Sequence, residues 1–465
     1  MEKINKIFIL IFFSILLVPV FFFNYKENSI SEIDNRQLTN NPLTKNAKLN
    51  ERDRTDVLYD YISDRIGFRN FFIRSYLILN DVLFKEMVHP TYEYGKEKYI
   101  FFKGVYTNKN DSDDYYNEFI NMLEKINNYC NNKNVPFIFV IEPSKSSVLQ
   151  EYIKEGINYN NEWIDDFIKK IEDKNINIVN NYELLNEKHA NNEIVFNKQY
   201  DAGHWNDLGA FYGVNNILER AKQENNNIHV NSLDEFKKRK ELRKTLPVSE
   251  FPIKEYTITY NTNEKTIKNV TKQYNDGLLL NDNHRYFFYT INKARKNENT
   301  PKVLSFQGSY MNGYGYKYLE NSFYEYIAVH NYGNIMNFDY YFNLFEPELV
   351  IFEVTEYTLS NTYFNHYGMI DFSLNPDIKE FDNYNIETHN KKVTIRKHKA
   401  ISDIYFNTDN DAFDYAYIEV NNKIYDAKNN YGEVSLTLEN KKINNNIKCI
   451  LINKETKTKI VYTSF

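Results

Sequence analysis

The sequence has few cysteines, which can cross-link a fold, and few glycines and prolines, which mark turns. Its 465 residues include 2 cysteines, 14 glycines and 10 prolines. Cys130 lies in a helix-like run and Cys449 in a strand-like run, far apart, so they form neither a disulfide framework nor a Cys-rich metal site. We expect both in the core. A chain of this length is too long for one core and is expected to form two or three folding units.

The sequence also lacks a basic excess and the common cofactor motifs. Lysine and arginine number 57 against 63 acidic residues, a net charge of −6, whereas a dedicated nucleic-acid binder usually carries a basic footprint. There is no P-loop, no dinucleotide fingerprint and no His/Cys metal spacing. The sequence therefore predicts no nucleic-acid partner, no metal and no cofactor.

One strongly basic run, Lys237 to Lys244, breaks this balance. Ser232 and Glu235 precede it at the spacing of a capping box, which predicts a helix starting there. We interpret the run as the solvated face of that helix, with anionic lipid or an acidic polymer as the alternative contact.

One apolar run, Ile7 to Phe23, follows Lys3 and Lys6 near the N-terminus. As a helix it would be about 26 Å long, the short end of a membrane span. No small residues mark a signal-peptidase site. The pattern therefore favours an uncleaved signal anchor over a removed signal peptide, with its positive end inside. Everything after Tyr25 is then expected outside the cytoplasm, tethered to the membrane.

Helical and strand patterns alternate along the chain as far as Pro376. Helices that alternate with fully apolar strands predict an α/β fold, with a parallel sheet and helices on both faces. The predicted strands are 99–103, 135–141, 176–179, 302–306, 325–329 and 349–354, and the predicted helices are 51–85 (two helices broken near Gly67), 111–132, 161–173, 207–222, 315–323 and 338–344.

After Pro376 the pattern changes to short β segments separated by Asn- and Asp-rich turns, with no helix. This predicts a small C-terminal all-β sandwich. We therefore divide the chain into an anchor at 1–25, an α/β domain at 26–376 and a β-sandwich at 377–465. The predicted strands of the sandwich are 392–396, 416–420, 433–438, 447–453 and 459–463.

Two short stretches carry residue types that suit nucleophilic catalysis. Asp201 stands three residues before His204, ahead of a predicted helix, so its carboxylate could hold Nδ1–H of the imidazole while Nε2 faces a cleft. Ser309 follows a buried strand and a glycine, and such a turn exposes a hydroxyl at the carboxyl end of a sheet. Each feature is common alone, but together they supply a nucleophile, a base and an orienting acid.

The stretch around His204, Asp-Ala-Gly-His-Trp-Asn-Asp-Leu-Gly-Ala, resembles the Asp-His-Trp signature of the alginate O-acetyltransferase-like (AlgJ/AlgX-like, DHHW-related) branch of the SGNH hydrolase superfamily. As in that branch, the Asp and His precede the serine. Two departures are Gln307-Gly308-Ser309, where the family usually has Gly-Asp-Ser, and Asp-x-x-His, where the alginate members more often have Asp-x-His. Four further segments follow the family order: Ser31–Leu38, Asp64–Arg69, Tyr99–Gly104 (its first core strand) and Val140–Lys145.

The resemblance implies an SGNH-hydrolase-like sheet and a membrane-tethered, periplasmic or cell-surface O-acetyltransferase. Ser309 would form an acetyl-serine, His204 would be the base and Asp201 its orienting acid. The acceptor would be a hydroxyl of an exopolysaccharide or cell-wall glycan, and a polytopic membrane O-acyltransferase would deliver the acetyl group. The C-terminal module would bind polysaccharide.

Two alternatives stay open at this point. A carbohydrate acetyl-esterase would use the same three residues with water as the acceptor. A non-catalytic glycan-binding or assembly protein would keep only the cleft, and Gly308 in the place of the family's aspartate favours it.

Five residues near these motifs are candidates for binding substrate. Tyr310 and Trp205 adjoin the serine and the histidine, and aromatic rings suit sugar faces, although core packing is the alternative role. The other three candidates stand at predicted strand ends: Lys145, Glu356 and Tyr357.

Overall fold

The computed structural model describes most of the chain, and the elements below refer to that part. The described residues are 2–26, 29–31, 36–44, 52–89, 91–103, 112–247, 251–262, 266–408, 413–430, 432–443 and 446–464. Some predicted segments lie partly outside them, namely residues 32–35 of the Ser31–Leu38 motif, residues 51 and 111, and Gly104.

The chain alternates helices and strands up to residue 371 and continues with strands thereafter. The helices are α1 (Glu2–Phe21), α2 (Arg54–Arg65), α3 (Arg69–Phe84), α4 (Asp113–Asn132), α5 (Lys145–Val148), α6 (Trp163–Glu172), α7 (Asn181–Ala190), α8 (Asp207–Lys222), α9 (Tyr316–Ser322), α10 (Phe338–Phe345) and α11 (His366–Asp371). The strands are β1 (Ile30–Ser31), β2 (Arg36–Gln37), β3 (Tyr92–Tyr94), β4 (Ile100–Phe102), β5 (Phe137–Glu142), β6 (Ile178–Asn180), β7 (Lys237–Thr245), β8 (Pro252–Asn261), β9 (Ile267–Asn269), β10 (Phe287–Asn292), β11 (Val303–Gln307), β12 (Glu325–His330), β13 (Leu349–Thr355), β14 (Asn385–Asn390), β15 (Thr394–Lys397), β16 (Ile401–Asn407), β17 (Tyr415–Val420), β18 (Lys423–Asp426), β19 (Lys428–Asn430), β20 (Glu433–Glu439), β21 (Ile447–Asn453) and β22 (Thr458–Thr463).

A seven-stranded sheet in the order β6-β5-β13-β11-β12-β10-β9 forms the centre of the molecule. The first five strands pair in parallel, for example Val303 with Leu349 and with Tyr326. Strands β10 and β9 extend the sheet in antiparallel fashion, an extension that the sequence analysis missed. The observed fold is therefore mixed α/β, with the predicted parallel pairing in its larger part.

Both faces of the sheet are covered by helices, because its strands are apolar on both sides. Phe139 of β5 faces a hydrophobic cluster that includes α4, α6 and α10, whereas its neighbour Val140 faces a second cluster that includes α8 and α9. Both residues are fully buried, and burial of each such side chain stabilises the fold by about 1.5–3 kcal/mol. Cys130 and Cys449 are also buried, as expected.

Two sequence predictions about local structure are wrong. The basic run is strand β7, paired with β8, because β8 offers a β-branched and aromatic partner strand and this pairing outweighs the helix preference of lysine, arginine, glutamate and leucine. Ser232 and Glu235 do form a capping box, but it begins only a 3₁₀ turn, Leu233–Glu235. Strand β4 pairs with β3 in a separate hairpin and does not join the central sheet.

The C-terminal part contains two further sheets, of five and four strands. All five strands predicted there are present, and β14, β16, β18 and β19 are additional. The two sheets share one hydrophobic cluster, which includes Ile404 and Phe406 from one sheet and Ile418 and Leu451 from the other. This shared cluster stabilises the two sheets against each other.

Helix α1 is apolar and almost entirely exposed. Its segment Lys3–Phe21 has a mean hydropathy of 2.4. By length and composition this helix could cross a membrane, a test that a signal sequence near the N-terminus also passes.

The turn between α2 and α3 holds the chain that leaves α1, which explains the Asp64–Arg69 motif. The buried Arg65 guanidinium donates to the carbonyl oxygens of Asn24 (3.1 Å), Lys26 (2.5 Å) and Thr39 (2.6 Å). The N–H of Gly67 donates to the carbonyl of Pro19 at 2.9 Å. A Cβ atom at Gly67 would lie 2.5 Å from that oxygen, so only glycine permits this approach.

We expect Arg65→Lys to loosen this N-terminal assembly, because one ammonium group cannot replace the planar guanidinium fork. The local free energy of opening should fall by about 2 kcal/mol, the scale for buried hydrogen bonds to a charged group. The rates of hydrogen exchange at the Asn24 and Thr39 amides measure this change in free energy. The Asn24 amide donates to the Arg65 carbonyl. Arg52→Lys is the control, since its pair with Asp60 is exposed. Equal exchange in both variants would contradict this role.

Candidate active site

The predicted site residues meet where the parallel strands of the central sheet end. Strand β11 leads into Ser309, β5 into Lys145 and β13 into Glu356. Parallel neighbours bring their carboxyl ends to one edge of a sheet, where ligands of open α/β sheets commonly bind. The loop that precedes α8 carries Asp201 and His204 to the same edge.

Ser309, His204 and Asp201, called the triad below, form a continuous hydrogen-bonded chain. Ser309 Oγ lies 2.8 Å from Nε2 of His204, and Nδ1 of His204 lies 2.7 Å from Oδ1 of Asp201. The side chain of His204 is 29% exposed, so the site is open to a reactant. The residues therefore have the connectivity and spacing of a nucleophile, a general base and an orienting acid.

The backbone of Asp201 adapts to place its carboxylate. Its φ of +63° is left-handed, a region that Asp tolerates better than most residues. The same Oδ1 atom also accepts the backbone N–H groups of Gly203 (3.3 Å) and His204 (3.1 Å). These bonds hold the carboxylate in place on the loop, in addition to its contact with the imidazole.

Two buried aromatic residues join the serine loop to the histidine loop. The indole N–H of Trp205 donates to the carbonyl of Tyr310 at 3.2 Å. In return, the Tyr310 hydroxyl lies 2.5 Å from the carbonyl of Gly203 and 3.0 Å from that of Pro143. Because each loop supplies a donor to the other, these bonds hold His204 and Ser309 at their observed separation.

Glu255 on β8 also supports the histidine loop and was missed by the sequence analysis. Its carboxylate accepts the backbone N–H groups of Lys198 (2.8 Å), Gln199 (2.9 Å) and Tyr200 (2.5 Å). Three successive amide bonds to one carboxylate order the chain directly before Asp201. Nothing in the sequence distinguishes Glu255 from other acids on an amphipathic strand.

Ser309 and Tyr310 begin a helical segment that continues through a π turn at Met311–Gly315 into α9. The first N–H groups of a helix have no partner within the helix and lie at its positive end. Those of Ser309 and Tyr310 are thus suited to stabilise an oxyanion. The N–H of Gly308 is already used, since it donates to Oε2 of Glu353 at 2.6 Å.

The surroundings of position 308 have room for a small side chain. A Cβ atom there would lie 3.4 Å from Nδ2 of Asn331 and 3.5 Å from Oε2 of Glu353, which are ordinary van der Waals distances. The structure therefore gives no steric reason for glycine in the place of the aspartate of Gly-Asp-Ser. The backbone N–H of Gly308 donates to Glu353 on the neighbouring strand.

The charges of the site affect the pKa values of the triad. Burial alone would lower the pKa of His204, but Asp201 and Glu353 outweigh it, and the pKa is raised. Burial opposes the charged form of Asp201, yet His204 and two backbone N–H groups hold its pKa below the usual value. Burial raises the pKa of Glu353 to about 7, despite Gly308 and His204.

The five predicted substrate-binding residues have different surroundings. Trp205 and Tyr310 are fully buried, so their positions do not support direct contact with a substrate. Buried Lys145 donates to the carbonyls of Ile100 (2.8 Å) and Lys198 (3.1 Å), and burial lowers its pKa to about 7. Lys145 therefore stabilises the histidine loop from the interior of the protein. The sequence motifs identified the neighbourhood of these three residues, but their side chains face the interior.

Glu356 and Tyr357 follow β13, as predicted. Glu356 is buried and bonds to the hydroxyls of Ser147 and, at 3.0 Å, Tyr159. Tyr357 is partly exposed and its hydroxyl interacts with the Ser309 side chain. Of the five candidates, Tyr357 alone combines exposure with contact to the triad.

A polar cleft of about 500 Å³ lies beside the segment that follows Ser309 in the chain, and its lining includes no residue of the triad. Among the described residues, no group of three or more His, Cys, Asp or Glu is placed to hold a metal ion. The residues that line the cleft include Glu241, Arg243, Tyr314, Tyr316, Lys317 and Glu320.

We expect Tyr310→Phe to slow the reaction while leaving Ser309 in place. The substitution leaves two buried carbonyls without their donor, a cost of about 1–3 kcal/mol, and loosens the His204–Ser309 contact. The kcat for a small acetyl ester should fall with little change in KM. Tyr274→Phe is the control, because its hydroxyl bonds to the distant Glu439. An equal fall in kcat in the control would refute the specific role of Tyr310.

We expect Glu353→Gln to shift the pH dependence of the reaction. Glutamine still accepts the Gly308 N–H but removes a negative charge that raises the pKa of His204. His204 then stays neutral to lower pH, so the acidic limb of kcat/KM should move to lower pH. Glu439→Gln is the matched control, since Glu439 is also buried but bonds to Tyr274 in another part of the protein. An unchanged acidic limb in Glu353→Gln would contradict this coupling.

Comparison with known proteins gives structural neighbours only. No family model and no curated protein matches this chain. PatB1 from Bacillus cereus is similar over 61% of this chain and 97% of its own, at 16% identity and a TM-score of 0.44. A DHHW family protein from Eubacterium siraeum is similar over 63% of this chain and 98% of its own, at 16% identity and a TM-score of 0.43. The O-acetyltransferase domain of Pseudomonas putida AlgJ is similar over 61% of this chain and 99% of its own, at 13% identity and a TM-score of 0.43. AlgJ and a DHHW family protein are thus among the structures similar to this chain, and they carry the names of the group that the sequence motifs resemble.

Proposed function

We propose that this chain is a membrane-tethered, extracytoplasmic O-acetyltransferase that moves acetyl groups onto hydroxyls of an exopolysaccharide or cell-wall glycan. The observation that carries the proposal is the hydrogen-bonded triad at the open edge of a largely parallel sheet. The proposal includes an SGNH-hydrolase-like arrangement of that sheet, an anchor at 1–25, a catalytic domain at 26–376 and a C-terminal β-sandwich at 377–465.

In the first step, Ser309 Oγ attacks the carbonyl carbon of an acetyl donor while His204 Nε2 takes the hydroxyl proton. Asp201 stabilises the imidazolium that results. The N–H groups of Ser309 and Tyr310 stabilise the tetrahedral oxyanion, and one such donor typically lowers the barrier by about 2.7–4 kcal/mol. The bond to the donor's leaving group then breaks, and His204 gives its proton to that group. Acetyl-serine remains.

In the second step, a sugar hydroxyl attacks the acetyl-serine carbonyl and His204 takes the proton of that hydroxyl. When the tetrahedral intermediate collapses, the bond to Ser309 Oγ breaks and His204 returns the proton to it. The sugar hydroxyl would approach the exposed side of His204. Tyr314 and Tyr316, in the segment that follows Ser309, offer rings and hydroxyls to a sugar.

Two further parts of the proposal concern partners. The one candidate span in the described chain, α1, cannot itself carry acetyl groups across a bilayer, so a polytopic membrane O-acyltransferase would deliver them. The C-terminal sheets would bind the polysaccharide acceptor. No cofactor is needed for either chemical step.

The test compares the full-length wild type with Ser309→Ala and His204→Ala, using a small acetyl ester with and without an added oligosaccharide. Both variants should lose activity by about 10⁴-fold or more, and mass spectrometry should find one acetyl group on Ser309 in the wild type only. Ser435→Ala and His189→Ala are the controls. Ser435 lies on β20, and the partly exposed His189 pairs with Glu151 instead of with a triad residue.

The fate of the acetyl group separates the alternatives. Acetate on the oligosaccharide supports the transferase. Release to water alone, with acceptor present, would make the protein an acetyl-esterase. A folded wild type with no turnover and no acetyl-serine would refute catalysis and favour a glycan-binding protein.

A further inference from the structure

Helix α3 exposes a continuous apolar face. At 3.6 residues per turn its six members fall within an arc of about 140°, and each is between 41% and 63% exposed. No charged residue lies in this arc, and a single soluble protein rarely leaves so large an apolar patch uncovered. We call it the α3 face; its members are Phe71, Phe72, Ile78, Leu79, Val82 and Leu83.

The opposite side of α3 is already used for packing. Leu77 is buried and Ile73 partly buried in a cluster with Met87, Ile100 and Phe251. The helix therefore has its orientation fixed by the body of the protein. The α3 face is the side that remains, and repacking the helix could not bury it without exposing Leu77.

The α3 face is continuous with the end of α1. The rings of Phe22, which follows α1, and Phe68, which precedes α3, have their centroids 4.9 Å apart. The Pro19 carbonyl accepts the N–H of Gly67 at 2.9 Å. Phe68 is itself exposed. An apolar surface thus runs from the last turn of the proposed anchor onto α3.

We propose that the α3 face lies in the outer interfacial region of the same bilayer that α1 spans, with lipid as its occupant. This inference rests on the proposed membrane anchor. An amphipathic helix that lies at the interface buries its apolar side between headgroups and acyl chains. Arg74 and Lys85, both exposed, lie outside the arc, where long cationic side chains reach lipid phosphates.

This second contact fixes how the catalytic body faces the membrane. The hydrogen bonds of Arg65 and Gly67 join the end of α1 to the body at one turn, and the α3 face adds a contact along the length of a helix. The cluster behind α3 includes Ala202, which lies between Asp201 and Gly203 on the histidine loop. Helix α3 and the cluster behind it therefore lie between the bilayer surface and the histidine loop, which carries Asp201 and His204.

The test places single thiol-reactive fluorophores on the full-length chain in lipid nanodiscs, since Cys130 and Cys449 are buried and do not compete. Leu79→Cys and Val82→Cys report on the α3 face. Val18→Cys reports on α1, and Tyr367→Cys, on the exposed side of α11, is the aqueous control. Lipids brominated on the acyl chain quench labels in the bilayer, and iodide quenches labels in water.

Brominated lipid should quench most of the emission at positions 79, 82 and 18, and iodide should quench position 367 alone. Quenching of 79 and 82 by iodide, with 18 still quenched by lipid, would overturn the inference and leave the anchor intact. If brominated lipid quenches none of the three positions, both the α3 contact and the membrane anchor are overturned. Labels at 79 and 82 that are shielded in native membranes but open to iodide in nanodiscs would overturn it in favour of a membrane protein partner.

Discussion

The reciprocal hydrogen bonds between Trp205 and Tyr310 are the interaction on which the geometry of the site depends. His204 and Ser309 are 105 positions apart in sequence, and proton transfer between them requires a separation held to a few tenths of an ångström. Each aromatic side chain is fully buried and donates to a backbone carbonyl of the other loop. Their burial excludes water as a competing partner, so the loops have one favourable arrangement.

Glu353 connects the backbone beside the serine to the protonation of His204. A backbone N–H at the end of β11 needs an acceptor, and Glu353 on the adjacent strand β13 supplies it. Because that carboxylate is buried, its charge also acts on His204. A structural hydrogen bond is thereby coupled to the protonation of the residue proposed as the base.

Much of the fold and the meeting of the triad residues could be predicted from the sequence. Apolar strands such as β5 and β11 have no other environment than a covered sheet, and parallel strands necessarily bring Ser309 and Lys145 to one edge. The contribution of Glu255 could not be predicted, because its bonds to backbone amides depend on a pairing of β7 with β8 that local propensity does not favour. For Trp205 and Tyr310 the sequence left both substrate contact and core packing open, because the position of a residue in a motif indicates what lies near it but not which way its side chain points.

The packing of α3 connects the membrane contact to the chemistry. Its buried side shares a cluster with Ala202 and with Leu246 and Phe251, which flank the β7–β8 connection, and β8 carries Glu255. Displacement of α3 would therefore act on both supports of the histidine loop, the apolar cluster and the carboxylate that orders residues 198–200. Cores transmit such shifts because they are close-packed. A body bound to lipid through α3 would hold its triad more rigidly than the same body free in water, since lipid removes the outward freedom of that helix.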